Sequence, residues 1–192
     1  MKHAVSIARA TGDGASRAKL FASIVEAVRK APHDPSTARR AIDATVRAVG
    51  ADTGSVFLLW EGARWLRGAF GVWDWTRTSF RAHVDEWPSV REAIEVNRPL
   101  LLVRERASGT EADWYERDGI SGSIVAPLVG ESRAVGVLFV DYRSPAFAPS
   151  LRELEFCHGV ATWWARALED DEGAATASGV RRRPEARASR SG

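Results

Sequence analysis

One cysteine and four histidines are the side chains of this 192-residue chain best suited to nucleophilic or metal chemistry. The single thiol, Cys157, has no resolving partner for disulfide exchange and cannot form a disulfide within the chain. The histidines are far apart, and none stands at metal-ligand spacing from a second ligand. The chain also lacks a glycine-rich phosphate loop and a serine nucleophile elbow. The sequence therefore predicts neither an enzyme nor a bound metal or cofactor.

Composition favours one folded domain with a basic end. Hydrophobic residues make up 45% and charged residues 27% of the chain, which excludes disorder throughout. The net charge of +2 is unevenly distributed, because residues 173–192 hold five arginines against one glutamate. That leaves a charge of −2 for the residues before them. Binding to nucleic acid is therefore not expected, except for weak contacts through the arginine-rich tail.

The sequence also bears on cellular location. Its longest apolar runs are far shorter than the roughly 20 residues that span a bilayer. The first residues contain too brief an apolar stretch for a secretory signal. A lone cysteine suits a reducing compartment. We therefore expect a cytoplasmic protein without a membrane span.

Hydrophobic periodicity predicts two helices near the start of the chain and a long one near its end. Apolar residues recur every fourth position from Leu20 to Val28, so a helix is expected from Ser16 onward. Asp34 and Pro35 predict the N-cap and first turn of a second helix. The last helix is predicted from about Pro149 to Asp170. Its apolar seam has coiled-coil spacing and consists of Leu154, Cys157, Ala161, Trp164 and Leu168.

Between these helices the pattern favours strands. Short runs of β-branched, aromatic and alternating residues predict five of them: Ser55–Trp60, Arg64–Val72, Leu100–Val103, Ser123–Val129 and Ala134–Tyr142. Polar turns join the first pair and the last pair into antiparallel hairpins. Short helices are expected from Pro88 and around Trp114, whereas the stretch from Trp73 to Trp87 has no clear period.

Several segments in this order resemble the GAF domain family. Gly119–Leu128 followed by a polar turn and Gly136–Asp141, whose sequence is GVLFVD, is similar to the last two strands of that family. Ala51–Leu59 is similar to its first strand, and Trp87–Leu100 to its central helix and strand. The resemblance covers about residues 17–170. Each segment alone is weakly specific, but their common order indicates the fold.

The resemblance implies an α+β fold related to PAS domains. Its central antiparallel sheet has five or six strands, with terminal helices on one face and short helices covering a pocket on the other. We therefore expect a flexible N-terminal arm over residues 1–15, a GAF domain over 16–171 and a disordered arginine-rich tail over 172–192. One fold hosts many tasks, so the resemblance says little about the particular function.

Four of the eight tryptophans lie in the segments that cover the pocket implied by this fold: Trp73, Trp75, Trp87 and Trp114. Aromatic rings there could stack on a flat or apolar ligand, with two serines orienting it. The predicted ligand-binding residues are Phe70, Trp73, Trp75, Trp114, Tyr115, Ser121 and Ser123. The alternative is that the rings fill the pocket and leave a ligand-free structural or assembly protein. Trp60 and Trp65 flank a hairpin and are expected to pack across its strands.

Three chemistries known in the family match this chain poorly. Reduction of methionine sulfoxide needs at least two cooperating cysteines. The Cys157-His158 pair follows the last strands, whereas the bilin-binding pair precedes them. Phe80 and Asp85-Glu86 imitate half of a cyclic-nucleotide signature, but with the wrong spacing and without its asparagine and lysine. A small-molecule-converting enzyme that uses the pocket remains the alternative from another functional class.

The remaining expectation is a non-enzymatic sensor or adaptor. It would bind a small molecule or a protein partner and act on a signalling protein in trans, since no output domain is visible in the sequence. Large apolar residues off the helix seams predict a homodimer through the first and last helices. The predicted interface residues are Phe21, Phe156 and Trp163.

Overall fold

The computed structural model describes residues 2–60, 64–71 and 81–177. These residues form a six-stranded antiparallel sheet in the order β3-β2-β1-β6-β5-β4. The strands are β1 (Thr53–Trp60), β2 (Trp65–Gly71), β3 (Arg81–His83), β4 (Leu100–Val103), β5 (Gly122–Val129) and β6 (Ala134–Tyr142). The helices are α1 (Lys2–Lys30), α2 (Pro35–Val49), α3 (Pro88–Val96), α4 (Thr110–Asp118) and α5 (Leu151–Ala177). The predicted fold class is confirmed, and β3 supplies a sixth strand from a stretch without clear period.

Successive side chains along the central strands point to opposite faces of the sheet, and each face packs against a different layer of helices. In β5 and β6, Ile124, Leu138 and Val140 belong to the buried cluster that includes α1, α2 and α5. The intervening Val125 and Phe139 belong to a second cluster with α3 and α4. Both faces of the central strands are therefore covered, which explains their continuous apolar runs.

Local signals account for the ends of α2. The Asp34 carboxylate accepts a hydrogen bond of 2.7 Å from the Thr37 backbone N–H, and Pro35 fills the first helical position. Gly50 ends the helix with φ +65°, a conformation that an L side chain rarely adopts. These caps direct the chain into β1 within a few residues.

A β-bulge in the first hairpin changes which face Phe70 occupies. Val56 pairs with Phe70, but the next residue, Phe57, pairs with Gly68. The extra residue in β2 reverses the alternation, because side chains change face with each residue. Phe70 therefore lies on the face of the sheet that is covered by α2 and α5. There its ring stacks on that of Trp164, with ring centroids 6.2 Å apart.

Two helix ends differ from the sequence predictions. α1 begins at Lys2, in the region predicted to be a flexible arm, and α5 continues to Ala177, beyond the predicted end near Asp170. Extending an existing helix adds one hydrogen bond per residue without a new nucleation step. Turns with no apolar periodicity can therefore continue a helix. The rest of the predicted tail, residues 178–192, lies outside the described ranges. Among the described helices, none is both long enough and apolar enough to cross a bilayer.

Candidate functional site

Five aromatic rings meet between the sheet and the short helices, and we call them the aromatic cluster. They are Phe57 of β1, Trp87 before α3, Trp114 and Tyr115 of α4, and Phe139 of β6. Trp114 lies at the centre, with ring centroids 5.1 Å from both Trp87 and Phe139. All five side chains are buried. The cluster packs together on the side of the sheet where a ligand pocket was predicted.

Polar side chains on the same face of the sheet converge on Asp141 of β6. Its carboxylate accepts hydrogen bonds from Ser123 Oγ of β5 at 2.6 Å and from Thr53 Oγ1 of β1 at 3.0 Å. All three residues are buried. Because Asp141 pairs with both Ser123 and Thr53 in the sheet, these bonds tie three neighbouring strands together at one level.

A second buried carboxyl joins the two helices that cover this face. Glu111 of α4 accepts a hydrogen bond from the Ser89 hydroxyl of α3, and both side chains are buried. Burial raises the pKa of Glu111 to about 6, although the hydrogen bonds from Ser89 act in the opposite direction. A carboxyl group that titrates near neutrality therefore lies within the covering layer.

Two buried hydroxyls on this side have no hydrogen-bond partner among the described residues: Ser55 Oγ and the Tyr115 hydroxyl. Burial raises the pKa of Tyr115, and the charges of Asp141 and Glu111 add to the effect, so its hydroxyl is neutral. It lies near Ser123 without hydrogen-bonding geometry. An unsatisfied buried hydroxyl costs about 1–3 kcal/mol. A bound polar molecule that reaches either group would recover part of that free energy.

The structure brings only some of the predicted ligand-binding residues together. Trp114, Tyr115 and Ser123 lie on the α3–α4 side of the sheet. Ser121 is half-buried and donates a hydrogen bond of 2.7 Å to the Arg143 carbonyl, beside the interior rather than in it. The assignment of Phe70 to the pocket is wrong, because the bulge in β2 places it on the opposite face. Trp73 and Trp75 lie outside the described residues.

Sequence reasoning missed several residues of this site. Phe57, Phe139, Asp141 and Glu111 were not among the predicted ligand-binding residues. Trp87 was predicted only as one of the aromatic residues in the segments that cover the pocket. Strand alternation could have identified part of this set, because Asp141 and Phe139 share a face with Ser123 and Val125 in a two-stranded register. Nothing local to Glu111 indicates that it is buried, since it lies in a polar helix.

The predicted dimer residues lie on α1 and α5. Trp163 is 37% exposed, with the Arg166 guanidinium 5.4 Å from its ring centroid. Trp163 and Phe21 line a surface groove of about 590 Å³. Phe156 is only 8% exposed and packs edge-on against Phe21 at 5.7 Å. Phe156 thus belongs to the buried core of the domain, and Trp163 is the prominent surface residue.

Cys157 and His158 occupy the other face of the sheet, away from the aromatic cluster. Cys157 is fully buried, and burial raises the pKa of its thiol to about 12, with a further contribution from Glu153. Burial lowers the pKa of His158. The thiol is therefore protonated near neutral pH, which makes it a poor nucleophile.

Comparisons with known proteins agree with this architecture. No curated protein sequence matches the chain. Among solved structures, the GAF domain from a phosphoenolpyruvate-protein phosphotransferase of Coxiella burnetii matches with a TM-score of 0.68 and 17% identity, covering 85% of this chain and 96% of that one. The phycocyanobilin-bound GAF domain of a cyanobacterial phytochrome gives 0.66 and 13%, covering 82% and 96%. The second GAF domain of DevS from Mycobacterium smegmatis gives 0.56 and 19%, covering 75% and 99%.

The six-stranded antiparallel sheet with helices on both faces places this chain in the α+β class of domains. A family model described as GAF domain matches residues 35–168, well over half of the chain. The chain belongs to the GAF domain family. The structural neighbours are less than 25% identical and establish the fold alone.

Proposed function

We propose that this GAF domain is a non-enzymatic sensor or adaptor that binds a small molecule beside the aromatic cluster. The observation that carries the proposal is the pair of buried hydroxyls without partners, Ser55 Oγ and the Tyr115 hydroxyl, on a face rich in aromatic rings. Such an interior suits a ligand with flat apolar surface and a few hydrogen-bonding groups. The phytochrome neighbour, which is bound to phycocyanobilin, supports the use of this fold for small ligands.

The connection from this site to the terminal helices runs through the central strands. Ser123 and Asp141 face the interior, while their neighbours Ile124 and Val140 pack in the cluster that contains α5. A ligand that shifts the two polar residues would move the apolar residues next to them, because they share the same backbone. The signal would then reach α5 and a partner in trans.

Self-association through α1 and α5 belongs to the same proposal. The groove of about 590 Å³ beside Phe21, Val25 and Trp163 is largely apolar and lies on the two long helices. Pairing these helices with those of a second copy would bury the exposed part of Trp163 in a four-helix contact. A dimer of this kind would let one protomer report ligand binding to the other.

The absence of enzymatic activity is also part of the proposal. Its support is the state of Cys157, the single cysteine of the chain, which is buried and has its pKa raised to about 12. Glu111, whose pKa is raised to about 6, is hydrogen-bonded to Ser89 within the covering layer, where both are buried. Neither group has the exposure and alignment that acid–base or nucleophilic catalysis needs.

Native mass spectrometry of the protein purified from its own host tests ligand binding. We expect a retained small-molecule mass that is released on denaturation and is reduced in a Tyr115→Phe variant. That substitution removes one hydroxyl and keeps the ring. Ser121→Ala, at the half-buried position beside the interior, is the control and should retain the ligand.

The competing candidate is a ligand-free structural module. It is favoured by the close ring contacts of Trp114, which lies 5.1 Å from Trp87 and Phe139. A bare protein mass together with no thermal shift across a metabolite library would contradict the sensor proposal and select this candidate.

A further inference from the structure

A second feature lies at the hairpin end of β1 and β2, on the face of the sheet that also carries Leu58 and Phe70. Trp60 of β1 pairs with Trp65 of β2, which pairs with His83 of β3. The adjacent row contains Arg67 of β2 paired with Arg81 of β3. Residues two apart along a strand share a face, so these five side chains form one surface across three strands. We call it the Trp–Arg face.

The Trp–Arg face exposes apolar and positively charged groups together. Trp60 is 38% and Trp65 39% exposed, and both rank among the few exposed large hydrophobic residues described. Arg67 and Arg81 are exposed, as is Arg64 immediately before β2. Within the described part of the chain, none of these three arginines has a carboxylate within 4.0 Å.

The shape of this face suits an inserted side chain. Trp60, Trp65, Leu66, Arg67 and Arg81 line a cavity of about 110 Å³. This volume is of the order of one side chain of a bound segment. A larger depression of about 430 Å³ beside His83 is separate, because it lies on the α3 side of the sheet and its lining includes Asp85 and Glu95. In the smaller cavity, apolar walls with guanidinium groups at their edge would hold an apolar side chain that is flanked by carboxylates.

We propose that the Trp–Arg face docks a short acidic segment of a partner protein, with an apolar side chain inserted between the two indoles. Tryptophan and arginine are the residue types enriched at binding hot spots, where they anchor a segment in a small desolvated pocket. Arginine binds carboxylates through two parallel hydrogen bonds. The charge of the face is opposite to that of the rest of the body, so acidic partners are attracted to this end of the sheet.

Other occupants fit the observations less well. The chain's own C-terminal segment carries five arginines against one glutamate and is repelled by Arg67 and Arg81. A single-stranded nucleic acid stacks its bases on open ring faces. Here the Arg67 guanidinium lies 5.9 Å from the Trp60 ring centroid, and the His83 ring meets Trp65 at 5.1 Å with an interplanar angle of 86°. These contacts occupy part of the surface that bases would use.

This docking surface is independent of a ligand in the interior. It lies on the opposite face of the sheet from the aromatic cluster, and its formation needs neither Tyr115 nor Glu111. The sensor proposal can therefore fail while the docking surface stands, and the reverse also holds.

A random 12-residue phage-display library selected on the full chain tests the proposal, with counter-selection on a Trp60→Ala/Trp65→Ala variant. We expect the enriched peptides to carry aspartate or glutamate on both sides of an apolar residue. A synthetic, fluorescein-labelled peptide of that sequence should bind in fluorescence polarisation. Its Kd should rise at least about tenfold in Trp65→Ala and in Arg67→Ala/Arg81→Ala, as for hot-spot residues.

Trp163→Ala is the matched control, because Trp163 is similarly exposed and also has an arginine, Arg166, over its ring. It should leave the Kd unchanged, and circular dichroism should show all variants folded. Enriched peptides without acidic residues, no enrichment over the counter-selected variant, or equal binding to the Arg67→Ala/Arg81→Ala protein would overturn the proposal. So would binding of a fluorescein-labelled dT15 oligonucleotide that the same variants abolish while peptide binding persists.

Discussion

At the scale of single residues, the titration of Glu111 is expected to make the stability of the fold depend on pH. Burial raises its pKa from 4.5 to about 6, so the folded protein holds this proton more tightly than the unfolded chain does. The associated stability is fully present below about pH 4.5 and is lost as the pH rises through about 6. At 1.36 kcal/mol per pKa unit, the loss is of the order of 1–2 kcal/mol.

We therefore expect a Glu111→Gln variant to lack this part of the pH dependence. Urea unfolding at pH 4.5 and pH 8 should show the wild type losing more stability between the two values than the variant does. Glutamine keeps the size of the side chain and an acceptor for the Ser89 hydroxyl. Equal losses in the two proteins would show that Glu111 does not titrate in this range.

Asp141 is the residue whose loss should disturb the sheet most directly on the ligand side. Asp141→Ala leaves the buried hydroxyls of Ser123 and Thr53 without their acceptor. We expect a destabilisation of about 2–4 kcal/mol, since each unsatisfied buried group costs about 1–3 kcal/mol. Thermal unfolding measures the effect. Glu116→Ala, which removes an exposed carboxylate of α4, is the control and should change the melting temperature little, because exposed ion pairs contribute little.

At the scale of elements, Glu169 ties the turn between β5 and β6 to α5. Its carboxylate accepts hydrogen bonds from the backbone N–H groups of Glu131 at 2.6 Å, Ser132 at 3.3 Å and Arg133 at 3.2 Å. The Ser132 hydroxyl adds a fourth bond at 2.8 Å. The turn has one backbone hydrogen bond of its own, from the Gly130 N–H to the Arg133 carbonyl at 2.9 Å, and three further N–H groups are held by one side chain of the last helix.

A Glu169→Ala variant should therefore loosen the turn while the sheet persists. We expect a loss of about 1–2 kcal/mol of stability, in the range for hydrogen bonds to a charged group. Hydrogen–deuterium exchange should increase at residues 131–133, with little change in β1. Asp170→Ala, one residue further along the helix, is the matched control. Unchanged exchange in the turn would argue against this anchoring role.

The contact between β1 and β6 leaves no room for a side chain at Gly136. A Cβ there would lie 2.4 Å from the Phe57 carbonyl oxygen, which is backbone and cannot rotate away. We expect Gly136→Ala to lower the melting temperature by several degrees or prevent folding, because the two strands must separate. Gly173→Ala on α5 meets nothing within 4 Å and should be neutral or slightly stabilising, as alanine favours helices. Similar melting temperatures for the two variants would contradict the close approach.

At the scale of the whole molecule, the prediction concerns self-association through α1 and α5. Light scattering at micromolar concentration should give twice the 21.0 kDa mass of the chain. Trp163→Glu places a charge in the apolar groove and should yield a folded monomer, whereas Trp65→Glu in the β1–β2 hairpin should leave the dimer intact. A monomeric wild type, or a dimer that withstands Trp163→Glu, would place Trp163 outside any interface.

The amino-acid sequence by itself predicted the family, the fold class and most of the elements. The Asp34 and Pro35 signals, the GVLFVD strand and the apolar seam around Trp164 are local patterns, and local patterns report backbone conformation and the buried face. The apolar seam could not predict where α5 ends, because helix propagation beyond Asp170 needs no apolar contact.

The tertiary structure decided which residues meet. Phe70 was misplaced because one bulged residue in β2 reverses the face of every side chain beyond it. Glu111 and Trp87 reach the interior from separate segments, and their burial depends on neighbours far away in the sequence. The Trp–Arg face likewise exists only because β3 pairs with β2 and brings Arg81 beside Arg67. Periodicity describes one element at a time, whereas a site requires the register between elements.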